Sequence, residues 1–260
     1  MAAMLELYSQ PFLIFTLVLT RLSGVLLLMP IVGIRPIPPR IRGLLGIGMA
    51  LAITPLQTRH ALPDVNSLPQ LLGMAASEAF IGLSIGLAAS ILFAGVQVAG
   101  QLISQTAGVS LADIFDPTFE SSVSSTTQLM DIVTLAVFVT TGGHRQVIAA
   151  LLDTYEWTPP GQAQFSEGVV PALTEIMTIS LATGIRAGAP CLLALLIAVL
   201  VTAIVSRTLP QLNILALGFN LNTIVLMAGL AFTLGAGAWL FQDVLENVLA
   251  RVTDTRGAAP

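Results

Sequence analysis

The chain has 260 residues, of which 55% are hydrophobic and only 9% charged, with a mean hydropathy of +0.90. Soluble domains carry about 25% charge, so this composition predicts an integral membrane protein or a subunit of a very apolar complex. The net charge of −4 offers no basic footprint for nucleic acid, and the single cysteine, Cys191, excludes an intrachain disulfide and a Cys-rich metal site.

The first apolar stretch covers residues 7–34 and has Arg21 at its middle. A charge at mid-membrane costs about 2.5–3.5 kcal/mol on insertion scales, so it must face the interior and pair. Glu78 is the expected partner, because it too is isolated in an apolar helix. The alternative is that Arg21 snorkels or meets backbone carbonyls. The first 20 residues hold one acid, Glu6, and no cation, which predicts a retained N-terminus rather than a cleaved signal. The run GIRPIPPRIR at 33–42 holds three arginines and three prolines. Proline breaks the helix here, and the arginines predict a cytoplasmic turn. Gly43 to Thr58 is uncharged but only sixteen residues long, short of the ~20 needed to span.

Ala79 to Ala112 carries no charge over 34 residues, longer than a bilayer needs. Gly82, Gly86, Ser90 and Ala94 recur every four residues below Glu78, a small-residue row that lets another helix approach closely. Gln97, Gln101 and Gln105 then share one helix face. An unsatisfied polar group in hydrocarbon costs about 2–7 kcal/mol, so these amides must face protein or water. The connection that follows is apolar, with Val109, Leu111, Ile114, Phe115 and Phe119, and begins at Gly108 and closes at Asp116-Pro117. Two readings are open: a plug or gate at the mouth of a polar row, or a buried connection packed between helices.

Residues 121–128 are rich in Ser and Thr, and Asp131 opens an apolar run too short to span alone. Gly142-Gly143 predicts a turn or helix cap, which makes His144 a turn histidine. Tyr155 and Trp157 suit a membrane interface. Pro171 starts another helix, expected to be interrupted at Gly184, Gly188 and Pro190. Ala187 to Ser206 is uncharged for twenty residues, the best single span. Gly229, Thr233 and Gly237 form a second close-packing row. The chain reads as one membrane domain, 1–260, with an N-terminal half (1–120) ending in the plug-like loop and a C-terminal half (121–260) of helical hairpins. The fold class is all-α, with membrane-associated hairpins and broken helices. Several apolar runs are too short, too long or internally polar, which predicts helices packed mainly on other protein.

Two other functions fit parts of this pattern. A secondary transporter could use Arg21, Glu78 and Asp131, but no inverted repeat is visible. A hydrolase elbow at Gly108-Val109-Ser110-Leu111-Ala112 lacks the final glycine and follows a helix.

Taken together, the residues resemble the FliR family, the R-type subunit of the flagellar export gate, which is similar to the T-type subunit of injectisome type III secretion. The matching residues are Arg21 and Pro30; Arg35, Pro39 and Arg42; Glu78, Gly82 and Gly86; and the block Gly100-Gln101-Leu102-Ile103-Ser104-Gln105 with Gly108. Asp116-Pro117, Gly143-His144, and Arg207 with Pro210, Gln211 and Asn213 complete the set. Asn220 and Asn222 depart from the family's Pro and Lys. The resemblance implies a non-enzymatic subunit of the inner membrane and flagellar basal body, with no cofactor. It implies assembly with P-type and Q-type subunits and other membrane proteins of the export apparatus into a hetero-oligomeric, helically arranged gate that passes unfolded substrates. It also implies that Gly108 to about Glu120 forms a plug in the central passage. An injectisome subunit remains an alternative.

Overall fold

A computed structural model describes residues 2–30, 37–58, 67–108, 125–163, 168–209, 218, 220–233, 244 and 248. The helices are α1 (Ala2–Leu28), α2 (Pro39–Gln57), α3 (Leu68–Ala107), α4 (Ser125–Thr140), α5 (Gly143–Trp157), α6 (Val169–Thr208) and α7 (Asn220–Thr233). No strand occurs among the described residues. Punctuation follows local chemistry. Pro30 follows the end of α1, and Pro39 opens α2, where its missing N–H is not needed. Gly108 ends α3 at φ 76°, and Gly142 separates α4 from α5 at φ 77°. Both are left-handed positions that favour glycine.

Most hydroxyls inside the helices bond to their own backbone. Thr16 donates to Phe12 O, Thr134 to Met130 O and Thr202 to Val199 O. These bonds close the polar groups of an apolar helix without a partner. Residues Gln10–Leu28, α3 and α6 are long and apolar enough to cross a membrane, while α4 and α5 reach that standard only as a pair. Helices α3 and α6 each have 40 residues. Such a helix is about 60 Å long, roughly twice the hydrocarbon thickness of a bilayer.

Helix α6 is continuous through Gly184, Gly188 and Pro190. The expected interruption is absent because the glycines are used for packing: a Cβ on Gly184 would overlap the Gly95 carbonyl, and one on Gly188 would touch Ala99 and Ile103. Proline inside a membrane helix removes one backbone bond without ending it where neighbours compensate.

The chain forms two compact units. The first comprises Met1–Ile91, Gly142–Ile176 and Leu245–Pro260; the second comprises Leu92–Thr141 and Met177–Val244. In the first, α1 and α3 run parallel, because contacts climb together: Gly82 lies on the Arg21 carbonyl, Gly86 on Val25, and the Ser90 hydroxyl donates to Leu28 O. Helix α2 lays Gly46, Ala50, Ile53 and Thr54 inward, with Gly46 against Leu26 and Leu19 of α1. In the second, α3 and α4 are antiparallel: Phe93 meets Phe138 edge-on at 5.4 Å, Gln97 meets Asp131, and Gly100 meets Thr127. Helix α6 runs parallel to α3, with Ser180 donating to Leu92 O at 3.2 Å. Helix α7 returns antiparallel along α6, Gly218 facing Thr202 and Gly229 facing Cys191. Ile103, Ala107, Met130, Cys191, Leu195, Leu226 and Leu230 form the core where α3, α4, α6 and α7 meet.

Candidate functional site

Two polar constellations stand out of the apolar background, one in each unit. In the first unit, Arg21 and Glu78 are both fully buried and paired, Arg21 Nε to Glu78 Oε2 at 2.5 Å. The other two guanidinium nitrogens of Arg21 each have an acceptor too. Its terminal nitrogens donate to Thr154 Oγ1 at 3.1 Å and to Thr158 O at 3.0 Å. Its guanidinium carbon lies 4.1 Å above the centroid of the Tyr155 ring. The other oxygen of Glu78 accepts the Gly161 N–H at 2.8 Å. Gly161 has φ 83°, which glycine adopts without strain. The node therefore ties α1, α3, the end of α5 and the turn after it. A buried charge of this kind needs hydrogen-bond partners, and here every guanidinium nitrogen and both carboxylate oxygens have at least one.

The sequence placed Tyr155 at a membrane interface. Tyr155 is instead 1% exposed, held under Arg21, while Trp157 alone is exposed. Thr154, Thr158 and Gly161 gave no signal in sequence beyond the turn-forming Pro159-Pro160-Gly161.

The small-residue row divides. Gly82, Gly86 and Ser90 lie along α1, whereas Ala94 is exposed. One position on, a Cβ at Gly95 would overlap Ser180 of α6. Each four-residue step turns a helix by about 40°, so a row of three steps winds off its first face. In the second row, a Cβ on Gly229 would stand 2.6 Å from Cys191 Sγ, and Thr233 bonds to Gly229 O. Gly237 lies outside the described residues.

The second constellation is the glutamine row of α3. Gln97 is exposed and its amide donates to Asp131 Oδ2 of α4 at 3.1 Å. Gln101 is half-buried, and the Thr127 hydroxyl donates to its Oε1 at 3.5 Å. Gln105 is exposed. Gly108 turns the chain at the end of this row, its N–H donating to Gln105 O at 3.2 Å. Val109, Leu111, Ile114, Phe115, Asp116, Pro117 and Phe119 lie outside the described residues. Asn222 of α7 reaches the same end of α3, with its amide 3.5 Å from Ala107 O. This gives the departure at Asn222 a local role: it stands at a helix C-terminus, where a donor or cation meets unpaired carbonyls. Three buried polar atoms near the row have no partner among the described residues: Ser104 Oγ, Asp131 Oδ1 and Asn222 Oδ1. No cluster of three or more metal-ligating side chains occurs among the described residues.

The profile of the family described as "Bacterial export proteins, family 1" matches residues 12–248. The chain belongs to this family. It is 29% identical over 229 residues to the flagellar biosynthetic protein FliR of Escherichia coli K12, covering 87% of this chain and 84% of that protein. It is 27% identical over 233 residues to the protein of the same name from Caulobacter vibrioides, covering 90% and 93%. The Bacillus subtilis protein of that name is 26% identical over 218 residues, covering 81% and 82%. The family match runs from within α1 to Val248 and so includes both constellations.

Proposed function

We propose that the chain is a non-enzymatic core subunit of the flagellar type III protein export gate in the bacterial inner membrane. It is read as a single membrane domain over residues 1–260, with P-type and Q-type gate subunits as partners and unfolded flagellar proteins as cargo. The observation that carries this reading is the export-family match over residues 12–248, with relatives named as flagellar biosynthetic proteins. The flagellar names favour this system over an injectisome. Helices α3 and α6, about twice as long as a bilayer is thick, suit a subunit whose helices continue outside the hydrocarbon.

The segment 109–124 joins the ends of the antiparallel pair α3 and α4, and it begins beside the glutamine row. Its apolar residues Val109, Leu111, Ile114, Phe115 and Phe119 seal a passage there, because an ion entering among them loses hydration with nothing in return. The test is ion conductance of cells carrying the chain with Val109 to Phe119 deleted, at expression equal to the intact chain. A leak that needs the partner gate subunits is the expected result. No leak with the assembly intact returns the loop to a packing role.

A further inference from the structure

We propose that Gln97, Gln101 and Gln105 form a contact site for the backbone of an extended polypeptide, engaged without regard to its sequence. This rests on the passage reading above and names what the glutamine row touches within it. The row has free hydrogen-bonding capacity of both kinds. Asp131 takes the Gln97 amide and Thr127 donates to Gln101 Oε1, so α4 holds both side chains from one side. That leaves Gln97 an acceptor oxygen and Gln101 its donor nitrogen. Gln105 makes no side-chain hydrogen bond among the described residues. Between these amides stand Val98 and Leu102, 39% and 38% exposed. The surface is thus amide and aliphatic. Among the described residues, the charge that these amides meet is Asp131, already engaged by Gln97.

The spacing fits an extended chain. Residues four apart rise about 6.0 Å along a helix. In an extended chain, the N–H and C=O groups on one edge recur every two residues, about 6.6–6.8 Å. Over the two steps from Gln97 to Gln105 the mismatch along the axis accumulates to about 1.2–1.6 Å, within the reach of a side chain with three rotatable bonds, and the row turns by about 80° around α3, so a strand that follows it crosses the helix obliquely. A neighbouring helix fits less well. Its backbone groups are bonded internally, so it would need polar side chains placed to meet all three amides. A neutral amide neither attracts nor repels a passing charge, whereas an arginine or glutamate row would sort cargo by composition.

The test uses the full chain in the complete export apparatus. A photo-reactive benzophenone residue replaces Gln105 in one variant and Ile197, on the outer face of α6, in another. The probe is an export substrate fused to a tightly folded C-terminal domain, which stalls in the passage. The expected result is capture of the stalled substrate at position 105, equally for substrates of unrelated sequence, and no capture at 197. Capture of a membrane partner at position 105 whether or not a substrate is stalled overturns the proposal, as does capture of nothing. A second variant, Gln101→Leu with Gln105→Leu, is expected to slow export of every substrate alike by roughly two- to tenfold, the range of one net hydrogen bond. Loss for one substrate only overturns it. The two readings separate cleanly. A leak on deleting Val109 to Phe119, with position 105 capturing only a partner, leaves the gate standing and removes the peptide contact.

Discussion

Arg21 and Glu78, 57 positions apart in the chain, close on each other at 2.5 Å with no solvent contact on either side chain. Removing one partner of such a pair leaves an unpaired buried charge, which costs about 3–5 kcal/mol, whereas removing both leaves none. Arg21→Met is therefore expected to lower the level of folded chain in membranes more than Arg21→Met combined with Glu78→Met. Recovery is partial, because the double variant still orphans the Gly161 N–H and loses the bonds to Thr154 and Thr158. Thermal unfolding of the detergent-solubilised chain measures it. Equal losses for single and double variants would show that the charges do not act as a pair.

Tyr155 separates the two contributions of its ring and its hydroxyl. The hydroxyl donates to Val18 O at 3.4 Å, a long bond, while the ring lies under the guanidinium. Tyr155→Phe keeps the ring and is expected to cost no more than about 1 kcal/mol. Tyr155→Leu loses the cation–π contact, worth up to about 2 kcal/mol when desolvated, and adds a packing defect. Unfolding temperatures are expected to fall in the order wild type, Phe, Leu. A Phe variant as damaged as the Leu variant would assign the role to the hydroxyl.

What the sequence revealed here and what it hid have physical reasons. Arg21 and Glu78 were legible as a pair because an isolated charge in an apolar run must find its opposite. Tyr155 was not, because an aromatic beside Trp157 also fits an interface, and only the fold carries α1 over its ring. The row of Gly82, Gly86 and Ser90 announced close packing but not against which helix. By Ala94 it has left the α1 face, because the row winds around α3, and Gly95 faces α6 instead. Gly184, Gly188 and Pro190 read as a break, although the glycines are where α3 and α6 touch. Gln97 was legible as an amide in need of a polar partner, but that partner, Asp131, lies on a helix whose antiparallel register the sequence does not state.

Glycines of α1, α2 and α3 differ in what a methyl group would meet. A Cβ on Gly82 collides with the Arg21 backbone, and one on Gly24 stands 2.8 Å from Leu83 N. Nothing lies within 4 Å of a Cβ built on Gly48. Gly82→Ala is expected to destabilise the chain by about 1–3 kcal/mol through overpacking. Gly48→Ala is expected to stabilise the isolated chain by up to about 1 kcal/mol, since alanine is the better helix former. Both are read by thermal unfolding of the purified chain. If Gly48→Ala is harmless alone but blocks export in cells, that face of α2 is occupied in the assembly.

Helix α6 has, within the second unit, a stretch with the length and composition of a bilayer crossing. Arg186 and Arg207 are both exposed and bracket the uncharged run from Ala187 to Ser206. Their separation of 21 positions corresponds to about 31 Å of helix, close to the ~30 Å of a bilayer core. Between them Leu193, Ile197, Leu200 and Ile204 are exposed at 54–62%. Thr202 and Ser206 direct their hydroxyls to Val199 O and Ala203 O, so this surface offers lipid no open polar group. A helix apolar all round in this way belongs in hydrocarbon or under protein. With Cys191→Ala as background, single cysteines at 197 and 200 are expected to resist a membrane-impermeant thiol reagent. Cysteines at 186 and 207 are expected to react, each with reagent supplied on its own side of the membrane. Tryptophan at 197 is expected to be quenched by brominated acyl chains. Protection at 197 without quenching would mean that a protein partner, not lipid, covers this part of α6.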